Sequence, residues 1–309
     1  MTGQNGVGFN WPNAVAVYVN HWDQRSVPYA DRSRPFRVAR ANGVTVMRTF
    51  FGTVDSFRAT RSTDPATREA AWAALRAILD DAAANDVRLV LSNYLTEEAV
   101  EILAGTTYRS WPEARRALVT AESPAWRGLQ TWVDEATTRF AGHPGTFSWE
   151  VMNEPGWMLG IDDGSVDQDA AAVFLDTFQA RYKRVGVTVN AGGRHKYDTR
   201  LLTDEQVRLM TRNVDVLDDH LYPEGGTAEA MLTATANYRD RVAALTGRTL
   251  PVVLGEFGTQ SSDFFRAVMA GAEARGFMRI VWGFDAHDSH GFSETEQPGV
   301  IPTIAAENR

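Results

Sequence analysis

The chain has 309 residues, a formal net charge of -8 and no cysteine. A composition of 44% hydrophobic and 23% charged residues is typical of a globular protein with a large core. The absence of cysteine excludes disulfides and thiolate metal sites. The negative charge and the lack of any lysine- or arginine-rich run argue against a nucleic-acid partner. No stretch approaches about 18 consecutive apolar residues, so neither a membrane span nor a membrane partner is predicted.

The amino-terminal sequence, MTGQNGVGFNW, lacks a basic segment followed by an apolar core, so it does not have the pattern of a secretory signal peptide. We therefore expect a cytoplasmic protein, or a secreted protein in a mature form from which the signal has been removed. The oligomeric state stays open at this point.

Short β-branched runs alternate with helical patterns along the whole chain. The predicted strands are Val7–Asn10, Val44–Phe50, Val87–Asn93, Phe147–Asn153, Val185–Asn190, Val214–Tyr222, Val252–Phe257 and Met278–Gly283. Seven helical segments lie between these eight strands. One of them begins at Asp64 and Pro65, a capping residue and a first-turn proline, and places Trp72 and Leu79 on one face.

The strands are near-continuous apolar runs, as expected for a parallel sheet that is covered on both faces. Eight such strands alternating with helices predict an α/β fold, a single (β/α)8 TIM barrel with long βα loops, in which residues 1–309 form one catalytic domain. An open doubly wound sheet is the alternative. It is disfavoured because Asn10-Trp11-Pro12, and not a glycine-rich phosphate turn, follows the first strand.

Two of the predicted strands have a glutamate at their carboxyl end or directly after it. The segment Phe147–Pro155, FSWEVMNEP, ends with Asn153, Glu154 and a proline, and the segment Pro251–Gly258, PVVLGEFG, contains Glu256. The carboxyl ends of parallel strands meet at one mouth of a barrel, so these carboxylates are expected to lie close together. Two facing carboxylates are what a retaining glycosidase uses as acid/base and as nucleophile.

Alternation along the strands places further polar groups at the same mouth. In the seventh strand Val252, Leu254 and Glu256 are expected to share one face. The other groups predicted at this mouth are Arg48, Asp218, His220 and Tyr222. Each residue alone could be structural, because strand-end glutamates often cap helices, but their convergence at one end favours an active site.

These motifs resemble a known family. FSWEVMNEP, DDHLYP (Asp218–Pro223), VVLGEFG and the Trp282 of IVWGFD are similar, in the right order, to the clan A (β/α)8 barrels of glycoside hydrolase family 5. The resemblance implies a retaining O-glycosyl hydrolase that acts on a carbohydrate without a metal or another cofactor. It also implies that Glu154 is the acid/base and Glu256 the nucleophile.

The resemblance assigns roles to the remaining groups as well. Asn153 would bind the sugar 2-hydroxyl, and Tyr222 and Arg48 would hold Glu256 ionised. His220 would adjust Glu154 or contact the substrate, and Trp282 would lie under the sugar at the cleaved bond.

One departure from the family concerns the end of the third strand, where many members have a histidine. This chain has Ser92-Asn93-Tyr94 there, and MRTFFG (Met47–Gly52) in the second strand, which are more similar to β-mannanases than to cellulases. Asn93 is therefore a candidate contact to a neighbouring sugar, and a β-linked manno- or gluco-configured substrate is expected, with mannan favoured.

Four long stretches without regular patterns follow strands and should surround the mouth. They are Trp11–Ala30, Tyr94–Glu122, Gly156–Gln168 and Phe284–Thr303. Tryptophans within these stretches could stack on sugar rings. Trp11 and Trp157 are the candidates for substrate binding, and Trp22 and Trp111 are the other two. They could equally pin the loops to the barrel.

Other clusters suggest weaker hypotheses. Glu150 is expected to be a buried structural carboxylate paired with a cation inside the barrel. Asp218, Asp219 and His220 are disfavoured as metal ligands because adjacent strand residues point to opposite faces. His287-Asp288-Ser289-His290 is the best remaining metal candidate, although a solvated loop is favoured, and His195 and Lys196 could contact substrate.

The sequence leaves endo and exo action open, and two other classes of protein are alternatives to a hydrolase. An exo-β-glycosidase could trim short imported oligosaccharides inside the cell. A carbohydrate-binding pseudoenzyme would keep the aromatic residues, but binding alone needs neither carboxylate. A phosphate- or metal-dependent barrel enzyme would need a glycine-rich loop late in the barrel, and Gly258-Thr259-Gln260-Ser261 is a poor one.

Overall fold

The computed structural model describes residues 6–20, 31–161, 163–193, 202–258, 261–284, 292, 297 and 299–309. It contains eight strands: β1 (Val7–Asn10), β2 (Val46–Gly52), β3 (Arg88–Asn93), β4 (Thr146–Glu150), β5 (Val189–Asn190), β6 (Leu217–Leu221), β7 (Val252–Phe257) and β8 (Met278–Val281). Each one falls on a strand predicted from the sequence, and β1 and β7 have the predicted bounds.

The strands pair side by side in the order β5-β4-β3-β2-β1-β8-β7-β6, and all of the pairings are parallel. The two outermost strands of this order, β5 and β6, are joined by a bridge between Asn190 and Val216. The sheet therefore closes on itself, and the prediction of an α/β fold of the (β/α)8 barrel type is confirmed.

Helices lie around the barrel. Within the described residues they are α1 (Ala14–Asn20), α2 (Arg34–Ala41), α3 (Val54–Thr60), α4 (Pro65–Ala84), α5 (Glu97–Ala104), α6 (Trp111–Val119), α7 (Pro124–Phe140), α8 (Pro155–Leu159), α9 (Gln168–Arg184), α10 (Asp204–Thr211), α11 (Ala228–Thr246), α12 (Ser262–Ala274) and α13 (Val300–Glu307). No helix in this part of the chain has both the length and the apolar character needed to cross a bilayer.

The longest helix, α4, begins as its sequence predicts. The carboxylate of Asp64 accepts hydrogen bonds from the backbone N–H groups of Ala66 and Thr67, and Pro65 occupies the first turn. This satisfies donors that a helix start leaves unpaired. The apolar face, with Trp72 and Leu79, is buried against the sheet side of the core.

The long loops are shorter than predicted because they contain helices. Tyr94–Glu122 contains α5 and α6, Trp11–Ala30 contains α1, and Gly156–Gln168 contains most of α8. Helices of five to nine residues span too few turns for an apolar periodicity to stand out. In α5 a capping residue marks the start, because Thr96 accepts a hydrogen bond from the N–H of Ala99.

The barrel interior is separate from the layer between strands and helices. A small cluster fills the interior, formed by Val46, Val90, Val216, Val253 and Ile280. The larger core packs the outer strand faces against the helices. Towards the carboxyl ends of the strands, the interior side chains change from apolar to charged, and this polar layer forms the candidate site.

Candidate active site

Arg48 is the charged centre of the polar layer. Strand β2 places it two residues after Val46, and its side chain is fully buried. Its Nη1 donates to Oε1 of Glu256 at 2.6 Å, and its Nη2 donates to Oε2 of Glu150 at 2.7 Å. Nη2 also donates to Oδ1 of Asn153 at 2.7 Å. The guanidinium on β2 therefore joins residues at the ends of β4 and β7 into a single network.

Glu150 is the structural carboxylate that the sequence predicts. It is fully buried, and Nε of Arg48 donates a second hydrogen bond to it at 2.9 Å. Burial opposes ionisation of Glu150, but the charge and hydrogen bonds of Arg48 outweigh burial and lower the pKa of this carboxyl. The predicted pairing with a cation inside the barrel is confirmed.

The Arg48 network leads to a stability prediction. Arg48→Ala leaves Glu150 and Glu256 buried without their cation, so we expect the free energy of unfolding to fall by about 3–5 kcal/mol. The matched control is Arg58→Ala, because Arg58 pairs with Glu98 at the surface, where both side chains are 58% exposed. The control should lose about 1 kcal/mol or less. Denaturant unfolding measures both, and equal losses would contradict the assigned role.

Glu256 is held on both carboxylate oxygens. Oε1 accepts from Arg48, and Oε2 accepts the hydroxyl hydrogen bond of Tyr222 at 2.7 Å. Burial raises the pKa of Glu256, whereas the charge of Arg48 and the hydroxyl of Tyr222 act in the opposite direction. The family resemblance implied that Arg48 and Tyr222 hold Glu256 ionised. Arg48 does act to lower the pKa of Glu256, but desolvation of the buried carboxyl raises it by more.

The way in which β7 presents Glu256 differs from the prediction. Val253 belongs to the barrel interior, whereas Val252 and Leu254 pack in the outer core, so regular alternation would turn Glu256 outwards. The pairing of β6 with β7 changes register at this point. Asp219 pairs with Leu254 and His220 pairs with Glu256, so Gly255 is an extra, bulged residue. The bulge turns Glu256 into the barrel.

Glu154 lies at the opposite side of the mouth, at the start of α8. It has φ of 40° and ψ of 64°, a left-handed backbone conformation that is uncommon for a residue with a side chain. Pro155 follows it and disfavours the right-handed helical conformation at Glu154. Such strain is found preferentially at functional sites. Oε1 of Glu154 lies 2.9 Å from Nδ1 of His220.

His220 lies between the two carboxylates. Its Nδ1 is 2.9 Å from Glu154 and 3.4 Å from Oε2 of Glu256. Burial lowers the pKa of His220 to about 4, so the ring is neutral at neutral pH. Gly193 provides space for it, because a Cβ on that residue would lie 2.3 Å from Nε2. A neutral imidazole in this position can share a proton with Glu154 without adding a charge.

One oxygen of Glu154, one ring nitrogen of His220 and one oxygen of Glu256 lie within 4.8 Å of one another. These three groups could also serve as metal ligands. However, the guanidinium of Arg48, in contact with Glu256 at 2.6 Å, already supplies the positive charge that a bound ion would bring. The geometry fits an acid/base and nucleophile pair better than a metal centre.

Asn93 occupies a different position from the one predicted. It is 2% exposed, and its Nδ2 donates to the backbone carbonyl of Val151 at 2.8 Å, so it fastens β3 to the chain after β4. It is therefore corrected from a sugar contact to a structural residue. Tyr94 approaches the site instead: burial raises the pKa of its hydroxyl, and the charges of Glu154 and Glu256 add to the shift.

Aromatic side chains form one wall beside the carboxylates. Tyr94 stacks on Phe50 with ring centroids 4.7 Å apart, and Phe50 contacts Trp282 at 5.9 Å. Trp282 was predicted at the site, whereas Phe50 and Tyr94 were given no contact with substrate. Alternation is the signal that points to Phe50, because it lies two residues after Arg48 on the same strand face, and Tyr94 directly follows β3.

Trp157 is 45% exposed and lies on α8, just after Glu154. The buried guanidinium of Arg115, from α6, donates to the carbonyl oxygens of Trp157 at 2.7 Å and of Met158 at 3.0 Å. This contact fixes the short helix and leaves the indole accessible. Arg115 is a further residue that the sequence did not single out.

Trp11 does not have the predicted role. It is 1% exposed, and its ring packs edge-on against Tyr18 and Phe36. The prediction that it contacts sugar is therefore wrong, and pinning of the first βα segment is the correct interpretation. Trp22, His195, Lys196 and the segment His287–His290 lie outside the described residues.

The other predicted residues meet at the mouth. Asn153 is 4% exposed and accepts from Arg48, while Tyr222 and His220 are buried against Glu256 and Glu154. Trp282 follows β8, with its backbone N–H bonded to the carbonyl of Phe257 at 3.0 Å. The structure thus brings Arg48, Asn153, Glu154, His220, Tyr222, Glu256 and Trp282 together.

Comparison with solved structures gives the same architecture. The chain superposes on a glycoside hydrolase family 5 mannosidase from Rhizomucor miehei with a TM-score of 0.65 at 15% identity, covering 97% of this chain and 91% of that one. An endoglucanase from Pseudomonas stutzeri gives 0.62 at 15% identity, with 99% and 95% covered. An exo-β-1,4-mannosidase from an Opitutaceae bacterium gives 0.65 at 14% identity, with 98% of this chain and 59% of that longer chain covered.

The chain therefore has the (β/α)8 fold of the family 5 glycoside hydrolases, as the sequence motifs indicated. No protein-family model matches the sequence, and no curated protein matches it significantly. At sequence identities this low, the similarity establishes only the fold. A function therefore has to be argued from the arrangement of side chains at the mouth of the barrel.

Proposed function

We propose that the protein is a retaining β-glycoside hydrolase in which Glu154 is the acid/base and Glu256 the nucleophile. The observation that supports this most strongly is the approach of their carboxylate oxygens to within 4.8 Å across the mouth. Retaining enzymes have carboxyl groups about 5–5.5 Å apart, whereas inverting enzymes need about 6.5–9.5 Å to admit a water molecule.

The contacts fit the two roles. Arg48 and Tyr222 bind the two oxygens of Glu256 and stabilise its carboxylate form, which is the form that attacks the anomeric carbon. Glu154 lies beside the neutral ring of His220, with its Oε1 2.9 Å from Nδ1. It can therefore carry the proton that the leaving oxygen requires.

The reaction has two displacements. Glu256 bonds to the anomeric carbon while the glycosidic bond breaks and Glu154 passes its proton to the departing oxygen. Glu154, now ionised, removes a proton from water, whose oxygen displaces Glu256 from the sugar. Each step inverts the anomeric carbon, so the product keeps the configuration of the substrate. Asn153 is proposed to donate from its amide to the 2-hydroxyl.

The proposed substrate is a β-linked manno- or gluco-configured oligo- or polysaccharide. Mannosidases and an endoglucanase share the fold, and we favour manno-configured substrates because two of the three relatives named above act on mannosides. The wall formed by Phe50, Tyr94 and Trp282 offers ring faces on which sugars can stack. Trp157 offers an exposed indole on the side of the acid/base.

Two other functions use the same site. An exo-β-glycosidase would remove single sugars from short oligosaccharides, as the name of the Opitutaceae relative suggests for that protein. A carbohydrate-binding pseudoenzyme would need the aromatic wall only. The network in which Arg48 and Tyr222 hold Glu256 has no purpose in binding alone and favours turnover.

A substrate panel tests the proposal. The protein is incubated with aryl β-mannosides and β-glucosides and with β-1,4-linked manno- and gluco-oligosaccharides, and the products are separated by size. Internal cuts indicate endo action, and release of single sugars indicates exo action. Glu256→Gln, made in parallel, shows whether any activity comes from a contaminant. Sugar binding without any product would favour the pseudoenzyme over the hydrolase.

A further inference from the structure

The carboxyl of Asp218 lies beneath the candidate nucleophile and is not explained by the proposed reaction. It is 3% exposed and lies on the interior face of β6, between Val216 and His220. Its Oδ1 accepts a hydrogen bond from the backbone N–H of Gly255 at 2.8 Å. Gly255 is the bulged residue of β7, so this N–H bonds to a side chain of the neighbouring strand.

A second side chain holds the same peptide segment. Nδ2 of Asn10, at the end of β1, donates to the carbonyl oxygen of Gly255 at 2.7 Å, while its Oδ1 accepts from Arg48 at 3.3 Å. The bulged residue is thus bound on its N–H side from β6 and on its C=O side from β1. Arg48 connects this backbone clamp to the carboxylate of Glu256.

The space around Gly255 is filled by the same carboxyl. A Cβ built on Gly255 would lie 2.3 Å from Oδ1 and 2.5 Å from Oδ2 of Asp218. Glycine is therefore required here because the aspartate occupies the volume of a side chain. The two residues form a complementary pair, and neither can be enlarged without displacing the other.

We propose that Asp218 is a positioning residue that holds the β-bulge at Gly255 and so turns Glu256 towards the substrate. Without the bulge, the strand register would direct Glu256 to the outer core with Val252 and Leu254. The role of Glu256 rests on the proposed function, whereas the holding of the bulge rests on the contacts alone.

The position requires a hydrogen-bond acceptor and not a negative charge. Burial and the neighbouring charge of Glu150 raise the pKa of Asp218 well above its usual range, which favours the protonated form relative to a free aspartate. A neutral acid still accepts from Gly255 through its carbonyl oxygen. Asparagine has the same shape and the same acceptor, and it should replace Asp218 functionally.

The test compares Asp218→Ala with Asp218→Asn in the whole protein. On an aryl β-glycoside we expect Asp218→Ala to lower kcat by about 10²-fold with little change in KM, as expected for a misplaced catalytic group. Asp218→Asn should keep kcat within about threefold of the wild type. The matched control is Asp176→Ala, which removes a buried aspartate of α9 that binds Asn213 at 2.8 Å. Equal losses in the alanine and asparagine variants, or none in the alanine variant, would overturn the proposal.

A double-mutant cycle adds a readout that destabilisation alone would not produce. Gly255→Ala should lower kcat in the wild type, because the new methyl group displaces the aspartate. In the Asp218→Ala background the methyl group has space, so the second change should cost much less. Additive losses would contradict the complementary pair, even if Asp218→Ala lowers the yield of folded protein.

Hydrogen exchange of the segment Pro251–Gly258 separates this proposal from the proposed function. The Gly255 amide should exchange slowly in the wild type and in Asp218→Asn, and faster in Asp218→Ala. If the wild type proves inactive on every sugar while exchange follows this pattern, only the hydrolase assignment fails. If the Gly255 amide exchanges at the same rate in Asp218→Ala as in the wild type, the proposal that Asp218 holds the bulge is overturned, whether or not the protein is active.

Discussion

Glu256→Gly is expected to lower kcat by roughly 10⁴-fold or more, the order of loss that follows removal of a covalent nucleophile. The buried Glu150 cannot take over the attack, because Arg48 binds it at 2.7 Å. The glycine variant leaves a space beside the anomeric carbon that a small external anion can enter. With an activated aryl β-glycoside, azide should restore turnover and give the α-glycosyl azide.

The same assays should be run on Asp176→Ala, a buried carboxylate variant outside the mouth, which should behave as the wild type. Turnover of Glu256→Gly near the wild-type rate, or a β-configured azide product, would remove Glu256 from the nucleophile's role.

Glu154→Ala is expected to have an effect that depends on the leaving group. For unactivated oligosaccharides kcat should fall by about 10²–10⁴-fold, because the departing oxygen is no longer protonated. For an aryl glycoside with an acidic phenol the first displacement should remain fast, since that phenolate leaves without a proton. The second displacement still lacks its base, so a burst of phenol followed by a slow steady state is expected.

Intact mass measured during the slow phase should show the glycosyl-enzyme, and azide should speed its decay and give the β-glycosyl azide. A uniform loss across all leaving groups, without accumulation of the intermediate, would mean that Glu154 positions substrate and does not transfer protons.

The sequence predicted the barrel well because its strands are buried on both faces. Each strand from β1 to β8 shows as a short apolar run, and the alternation with helices leaves few topologies. The bounds of β5 were less accurate: Val189–Asn190 is much shorter than the predicted Val185–Asn190. Pairing with neighbours decides where a strand ends, and pairing cannot be read from one segment.

Glu256 was placed correctly by an argument that is wrong in detail. The pattern of Val252, Leu254 and Glu256 suggests one face, but the structure separates Glu256 from the other two through the bulge at Gly255. A glycine inside a strand pattern is the available signal for a bulge. Its partner Asp218 lies 37 residues earlier, so the clamp itself is a tertiary feature.

Trp11 and Asn93 show why side-chain roles near strand ends are difficult to predict. Both follow or end a strand, as substrate contacts do, yet both use their functional groups inside the protein. Trp11 packs on Phe36, and Asn93 bonds to Val151. These partners are distant in sequence, so no local pattern distinguishes a residue that supports the mouth from one that faces the substrate.

The most direct test of the central claim is the anomeric configuration of the first product, followed by proton NMR while a β-linked substrate is cleaved and before mutarotation. We expect the β-anomer to appear first. Glu256 forms a covalent intermediate, and Glu154 then activates a water molecule on the face of the sugar from which the leaving group departed. First appearance of the α-anomer would mean single displacement by water, and would contradict the assignment of Glu256 as nucleophile.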